Sequence, residues 1–484
     1  MKGAKLMNNS PKQLALFDTF NYLQDFENND KVKLINLLNE NIDFHSLIPS
    51  SLHSKYNNCK GRNPFMLSSM VKAFFIKNIF GYSKVSMLID ALSLSPELRK
   101  FCGFSKIPHK SKFSRFRKLY CNEFENMFNS LVNITEPICR KMGENFASHI
   151  IYDTSGINPY VSENNSRFFN NHLKKVKKQN KDKSKEDIFK IAYATMPKQA
   201  EANNDIKLMY VNGSFNYAYK FGLFTNAFGI VRHIAFVDKD FTAKHAELKD
   251  PSYSDSPDDD KTIGDSTLLK PMLTDFSKII DPKYSFHTFL ADSALDKYEH
   301  FPMLMNDFDF KRVLIPINKR NSSADSPDNG IHYNQNGTPV CSKYNLTFKN
   351  GGISKEANRS TRHKFNCPKT KSIKGKLTCL CETPCSKNEY GRTIYTYPDQ
   401  DLRAFPGIDR DSEHFRKVYK RRTVIERTNH FFKNVMGIGD SLMQDSKSFK
   451  FDLFSAGITQ LVLLLLSDKV SNLKNHHPLS VKAA

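Results

Sequence analysis

The spacing of apolar residues changes character twice along the chain. From Asn63-Pro64 the sequence passes through Phe65, Met66, Leu67, Met70, Val71, Phe74, Phe75 and Ile79 at intervals of three and four and stops at Gly81, which predicts a helix. A second amphipathic run, Ser83 to Leu92, and a short one after Pro96 (Leu98, Phe101, Phe104) lead to a serine-capped basic helix within Ile107 to Lys118. At His149 to Tyr152 the pattern becomes a short apolar strand that ends at Asp153. The lysine-rich tract Lys174 to Lys185 predicts an exposed loop. Strands follow at Tyr217 to Leu223 and Gly229 to Val237 with a turn at Asn226, then an acidic loop at 250–261 and a helix from Ser266 to Phe276. A strand from Ser285 to Leu290 stops at Ala291-Asp292, and after another helix comes the strand Arg312 to Ile317. Strands interleaved with helices in this order predict an α/β fold with a mixed sheet. Residues 318–400, rich in Asn, Ser, Lys and Gly, interrupt it as an insertion. The core resumes with a helix around Tyr419 and closes with an apolar helix, Phe451 to Leu466, expected to pack on the sheet. The predicted division is 1–145 as a helical N-terminal domain, 146–317 as the first part of the core, 318–400 as the insertion, 401–475 as the last part of the core and 476–484 as a tail.

Composition narrows the partner. With 39% apolar and 12% aromatic residues, the 484-residue chain has enough core for two or three domains. Its 72 Lys and Arg exceed 50 acids and leave a charge of +22, so a polyanion is expected, and nucleic acid fits better than a membrane surface. The longest aliphatic run, Leu461 to Leu466, is too short to span a bilayer, and Met1 to Ser10 is polar, so the expectation is a cytoplasmic protein without a membrane partner. In this light the short N-terminal helices read as a helix-turn-helix arrangement with Arg115, Arg117 and Lys118 on DNA; a helical bundle with a basic surface is the competing reading. Cys59, Cys102, Cys121 and Cys139 are scattered through that half as buried thiols. Cys367, Cys379, Cys381 and Cys385 cluster in the insertion, where their spacing could make a tetrahedral zinc site with Cys341 or His363 as spare ligand, against a loop of free thiols.

The chemistry concentrates at Tyr419, Lys420, Arg421, Arg422, Thr423, Val424, Ile425, Glu426 and Arg427, followed by Asn429 and Lys433. At about 100° per residue a helix sets Tyr419, Arg422, Glu426 and Lys433 within roughly a 60° arc. Val424, Ile425, Phe431, Phe432 and Val435 gather on the other side. A carboxylate among arginine, tyrosine and lysine can hold a divalent cation while its neighbours hold phosphate oxygens; a solvated salt-bridge face has the same pattern. Asp153 and Asp292, each at a strand end where α/β sheets open toward a cleft, supply two more carboxylates. Each alone could simply cap a turn. Three together would repel unless divalent cations neutralise them, which suits a two-metal displacement at phosphorus. His149 and His233 read as satisfied or partly exposed histidines beside strand residues, and the 174–185 tract as a solvated loop with phosphate contact as the alternative.

The Tyr-x2-Arg-x3-Glu-x6-Lys spacing of Tyr419, Arg422, Glu426 and Lys433 resembles the signature of DDE transposases from bacterial insertion sequences. Ile151 to Gly156 looks like their first-aspartate strand, Leu290 to Ser293 like their second, and the resemblance covers most of residues 60–470. It implies an RNase H-like core behind a helical DNA-binding domain, with an insertion before the catalytic glutamate. It further implies two Mg2+ (or Mn2+) ions on Asp153, Asp292 and Glu426, phosphate contacts from Tyr419, Arg422 and Lys433, and cleavage and joining of double-stranded DNA at terminal inverted repeats. Bringing two ends together requires an oligomer, expected to be a homodimer. Some relatives stack a flipped base on tryptophan; this chain has none, so a platform here would be Phe or Tyr, with Tyr390 and Tyr395 as candidates. A nuclease on the same core and a non-catalytic DNA-binding regulator are the alternative functions.

Overall fold

The His149 to Tyr152 apolar run opens the central strand of a seven-stranded sheet in the computed structural model, which describes residues 30–470 apart from 59–60, 62–64, 212, 249–261, 319–329, 335, 357–358, 400, 404 and 440–442. Cys59, Asn63-Pro64, the 250–261 loop and the 476–484 tail therefore lie outside the described residues. The strands are β1 His149–Ile157, β2 Gln199–Ala200, β3 Asn203–Val211, β4 Ser214–Thr225, β5 Val231–Phe236, β6 Thr288–Leu290 and β7 Arg312–Leu314. Their order is β2-β3-β4-β1-β6-β7, with β5 also paired to β4. Strands β1 to β5 pair antiparallel, whereas β6 runs parallel to β1 and β7 parallel to β6, so the sheet is mixed, as expected.

Two strand boundaries differ from the sequence reading. The first strand does not end at Asp153 but runs to Ile157, because β4 goes on pairing with it after β6 has stopped at Leu290. The expected strands Ser285–Leu290 and Arg312–Ile317 shrink to Thr288–Leu290 and Arg312–Leu314. The lysine-rich tract is not a loop either: helices Ser166–Gln179 and Lys185–Ala194 bury Leu173, Val176, Ile188 and Ala192 between them, leaving only 180–184 as the turn. Apolar residues at helical spacing were hidden there among lysines.

Six helices frame the sheet and its site: α1 Leu67–Ile79, α2 Lys110–Leu119, α3 Cys121–Met142, α4 Asp265–Ile279, α5 Thr423–His430 and α6 Ser446–Lys469. Helix α4 lies close over the sheet, where Gly222 of β4 has no side chain and a Cβ would collide with Met272. Helix α6 is buried from Ser448 to Leu466 and packs against α1, α2 and α3 as well as β5. It is long and apolar enough to cross a membrane, but protein already covers it on every side. One continuous core extends from Leu34 to Leu466, so the helical region and the sheet meet without a break at residue 145.

Polar groups on α6 rivet that junction. Asp452 sits between Lys77 (3.2 Å) and Arg117 (2.9 Å), all three buried. The Asn78 side-chain amide donates to Ser455 Oγ (2.9 Å) and Thr459 Oγ1 (3.0 Å). Gln460 accepts from the Val231 amide (2.9 Å) and donates to the Gly229 carbonyl (2.9 Å), holding the start of β5. Arg117 is therefore corrected from a DNA contact to a core residue, and α2 is capped by His109 rather than by a serine. Arg115 and Lys118 remain exposed on the same helix. Asp452→Ala would strand two buried cations, so we expect it to destabilise the fold by about 3–5 kcal/mol in urea unfolding. A loss below about 1 kcal/mol would contradict this role.

Candidate active site

Parallel pairing sets the first two acids. Ile151 of β1 is in register with Leu290 of β6, and Asp153 and Asp292 each follow two residues later. Equal offsets place both carboxylates beside each other where the β1–β6 ladder ends, on chains about 4.8 Å apart. Past Leu290 the backbone turns, and Asp292 caps the short turn Ser293–Leu295, its Oδ1 accepting from the Ala294 amide at 3.0 Å. The turn is clamped from behind by buried Asp296, which Arg403 grips with two hydrogen bonds of 2.7 Å.

The third acid arrives on the Tyr419 stretch. This is a continuous helical run rather than one regular α-helix: Glu413–Tyr419, a 3-10 turn at Lys420–Arg422, α5, and a π turn at Phe431–Val435. Val424, Ile425, Phe431 and Phe432 are buried as expected, while Val435 is exposed instead of packed, since the π turn rotates it outward. Alternation on the strand meets the helical repeat here. Asp153 and Ser155, two apart on one face of β1, face Asn429 and Lys433, four apart on the helical run. Two strand steps (about 6.8 Å) and four helical steps (about 6 Å) nearly match. Asn429 Nδ2 donates to Asp153 Oδ2 (3.0 Å) and Lys433 Nζ donates to Ser155 Oγ (2.5 Å).

Arg422 donates to Glu426 Oε1 at 2.5 Å, and Tyr419 donates from its hydroxyl to the Ala291 carbonyl at 3.3 Å, next to Asp292. Asp153, Asp292, Glu426, Tyr419, Arg422 and Lys433 thus lie within electrostatic reach of one another. Arg416, Lys417, Lys420, Arg421 and Arg427 are exposed along the same run. Of the stacking candidates, Tyr390 is exposed, whereas Tyr395 lies under Arg362 (4.4 Å). His149 and His233 are core residues; burial lowers both to about 4, so they are neutral.

A fourth acid escaped the sequence reading. Tyr152 and Thr154 point to the opposite face of β1 and bind Asp265 at the start of α4, through its carbonyl (2.8 Å) and carboxylate (2.6 Å) respectively. Lys220, buried on β4, pairs with the same carboxylate at 2.5 Å. An aspartate in a first helical turn reads locally as a dipole partner, which conceals that its charge reaches Asp153 and Asp292. Burial, followed by the charges of Asp292 and Asp265, pushes Asp153 up to about 7, with Arg422 opposing and Glu426 adding to the rise. Asp292 is also raised, first by burial. Burial lowers Lys433 to about 8, with Asp153 pulling the other way, and raises Tyr419 to about 12. Acids that hold protons this high are crowded and poorly solvated, the condition a divalent cation relieves.

Residues 21–119 match the family model described as Transposase domain (DUF772). The match supports a transposase, an enzyme that processes DNA. It covers the helical region up to the end of α2, while the acid cleft is built from residues downstream of it. No curated protein matches the chain.

Because Asp153 takes up its proton near pH 7 when folded but near its ordinary 3.8 when unfolded, the native state binds more protons between these values. Stability is therefore lost as pH rises through that window in metal-free protein. With chelator present, Asp153→Asn should melt on the order of 2–5 °C above the parent at pH 8. The difference should shrink as pH falls and vanish only well below 3.8, where Asp153 is protonated in both the folded and the unfolded chain. Equal melting points at pH 8 would contradict the raised pKa of Asp153.

Proposed function

We propose that the chain is an insertion-sequence transposase of the DDE type, which cuts DNA at the ends of its element and joins the freed 3'-ends to a target. The observation that carries this reading is the shared offset of Asp153 and Asp292 from the β1–β6 register, with Glu426 and Arg422 delivered to the same cleft. Antiparallel β5, β4 and β1 continued by parallel β6 and β7 support an RNase H-like core. The matched transposase domain supports DNA as partner.

Asp153, Asp292 and Glu426 fit two Mg2+ or Mn2+ ions, being hard oxygen donors whose mutual repulsion would fall on binding. Such a pair supplies activation of a water or 3'-hydroxyl and neutralisation of charge on the leaving oxygen. The protein's own groups do the positioning. Asn429 fixes the orientation of Asp153. Arg422 is held by Glu426 and Tyr419 and carries a planar fork suited to phosphate oxygens, and Lys433 adds a buried amine near Asp153. The exposed arginines and lysines along the helical run, with Arg115 and Lys118 on α2, offer further backbone contacts. Two ends handled in one reaction imply a homodimer or larger assembly.

With DNA carrying the element's own end and Mg2+, Glu426→Gln should lose cleavage by at least about a thousandfold while binding the end as the parent does. Retained cleavage would sink the catalytic assignment, and a parent that binds but never cuts would favour a regulator. Cutting without joining would favour the nuclease alternative. Arg422→Ala should weaken end binding and make the logarithmic salt slope shallower by about one. An unchanged slope would remove Arg422 from the phosphate contacts.

A further inference from the structure

The insertion contains a segment whose only apolar anchorage among the described residues is at its base, where Cys367, Cys379 and Cys381 pack with Phe348 and Phe365. Between residues 367 and 391 only Cys367, Thr370 and Gly391 are buried among the described residues. Its larger apolar side chains face outward: Ile373, Leu377, Leu380 and Tyr390 are each between 46% and 51% exposed. A two-stranded hairpin, Thr370–Ile373 with Lys376–Cys379, has no independent stability of that kind. Units this small persist when a metal or a disulfide replaces the missing core.

At the base of the hairpin, one sulfur each from Cys367, Cys379 and Cys381 lies within 4.8 Å of the other two. Tetrahedral zinc with Zn–S bonds of about 2.3 Å sets its sulfurs about 3.8 Å apart, so a small contraction closes the set. The backbone already fixes two ligands: the Cys367 amide donates to the Arg392 carbonyl (2.9 Å) and the Cys379 amide to the Glu389 carbonyl (2.7 Å). Gly391, at φ +77°, lies where a side chain would come within 3.1 Å of Cys367 Cβ and 3.3 Å of Cys379 Sγ. Three mutually close thiols exceed what one disulfide can use. We propose that Cys367, Cys379, Cys381 and Cys385 bind one structural zinc ion that anchors this hairpin. Cys385, exposed and four residues beyond Cys381, reaches the fourth position by a turn of its own loop. His363 is not a ligand: its Nε2 is engaged by Asn350 (2.9 Å) and its ring packs between Phe365 and Phe405.

The test is metal content of the full-length protein purified under reducing conditions, together with the absorption spectrum after exchange with Co2+. We expect one zinc per chain and a thiolate-to-cobalt charge-transfer band with tetrahedral ligand-field absorption. Cys379→Ser and Cys381→Ser should lose the zinc, Cys385→Ser should bind it at least tenfold more weakly, and Cys341→Ser, outside the set, should keep it. Metal removal should speed trypsin cleavage at exposed Lys371, Lys374 and Lys376 on the order of tenfold. Wild-type protein without zinc or a cobalt–thiolate band, or with two of these cysteines joined as a disulfide, would overturn the proposal. None of these readouts depends on DNA cleavage.

Discussion

Asp153 and Asp292, both partly buried, repel each other, and the elements around them hold them near each other regardless. The force that does so is backbone pairing, which no side-chain charge can easily undo: Asp153 and Asp292 are neighbours because Ile151 and Leu290 are paired two residues earlier. Asp265 is brought in from the opposite face by Thr154 and Tyr152, and Glu426 by a helical run whose repeat fits that of β1. Lys220 pairs with Asp265 and Arg422 opposes the rise at Asp153, whose carboxyl is nonetheless pushed up to about 7. On the proposed function, a divalent cation would relieve the repulsion that remains.

Holding such a cleft requires a stiff frame. Helix α6 supplies it by lying buried between the N-terminal helices and β5 and by exchanging polar contacts with both. Asp452, Ser455, Thr459 and Gln460 would be costly in an apolar interior if unpaired, so each fixes its partner's position as well as its own. The helical region that matches a transposase domain is consequently built into the same core as the sheet.

Much of this was legible in the residues. The mixed sheet followed from the order of apolar runs, and the spacing of Tyr419, Arg422, Glu426 and Lys433 singled out the helical run whose Asn429 and Lys433 hydrogen-bond Asp153 and Ser155 of β1. What was not legible depended on partners distant in sequence. Arg117 looks like a DNA contact until Asp452, more than three hundred residues away, claims it. Leu173, Val176, Ile188 and Ala192 look incidental in a lysine tract until two helices pair through them. The continuation of β1 past Asp153 depends on β4, and Asp265 joins the acids only through contacts across the sheet. Local patterns carry propensity and periodicity; they carry charge networks only when the partner lies within a turn or two.

If Asp153, Asp292 and Glu426 jointly hold divalent metal, as proposed, the most direct measurement replaces Mg2+ by Fe2+ and maps where the backbone is cut when ascorbate and peroxide are added. Hydroxyl radicals act within a few ångströms of the iron, so cuts should cluster near residues 153, 292 and 426, suppressed by excess Mg2+ and absent in Asp153→Asn. Cutting that ignores those three places, or that persists in Asp153→Asn, would contradict a shared metal site.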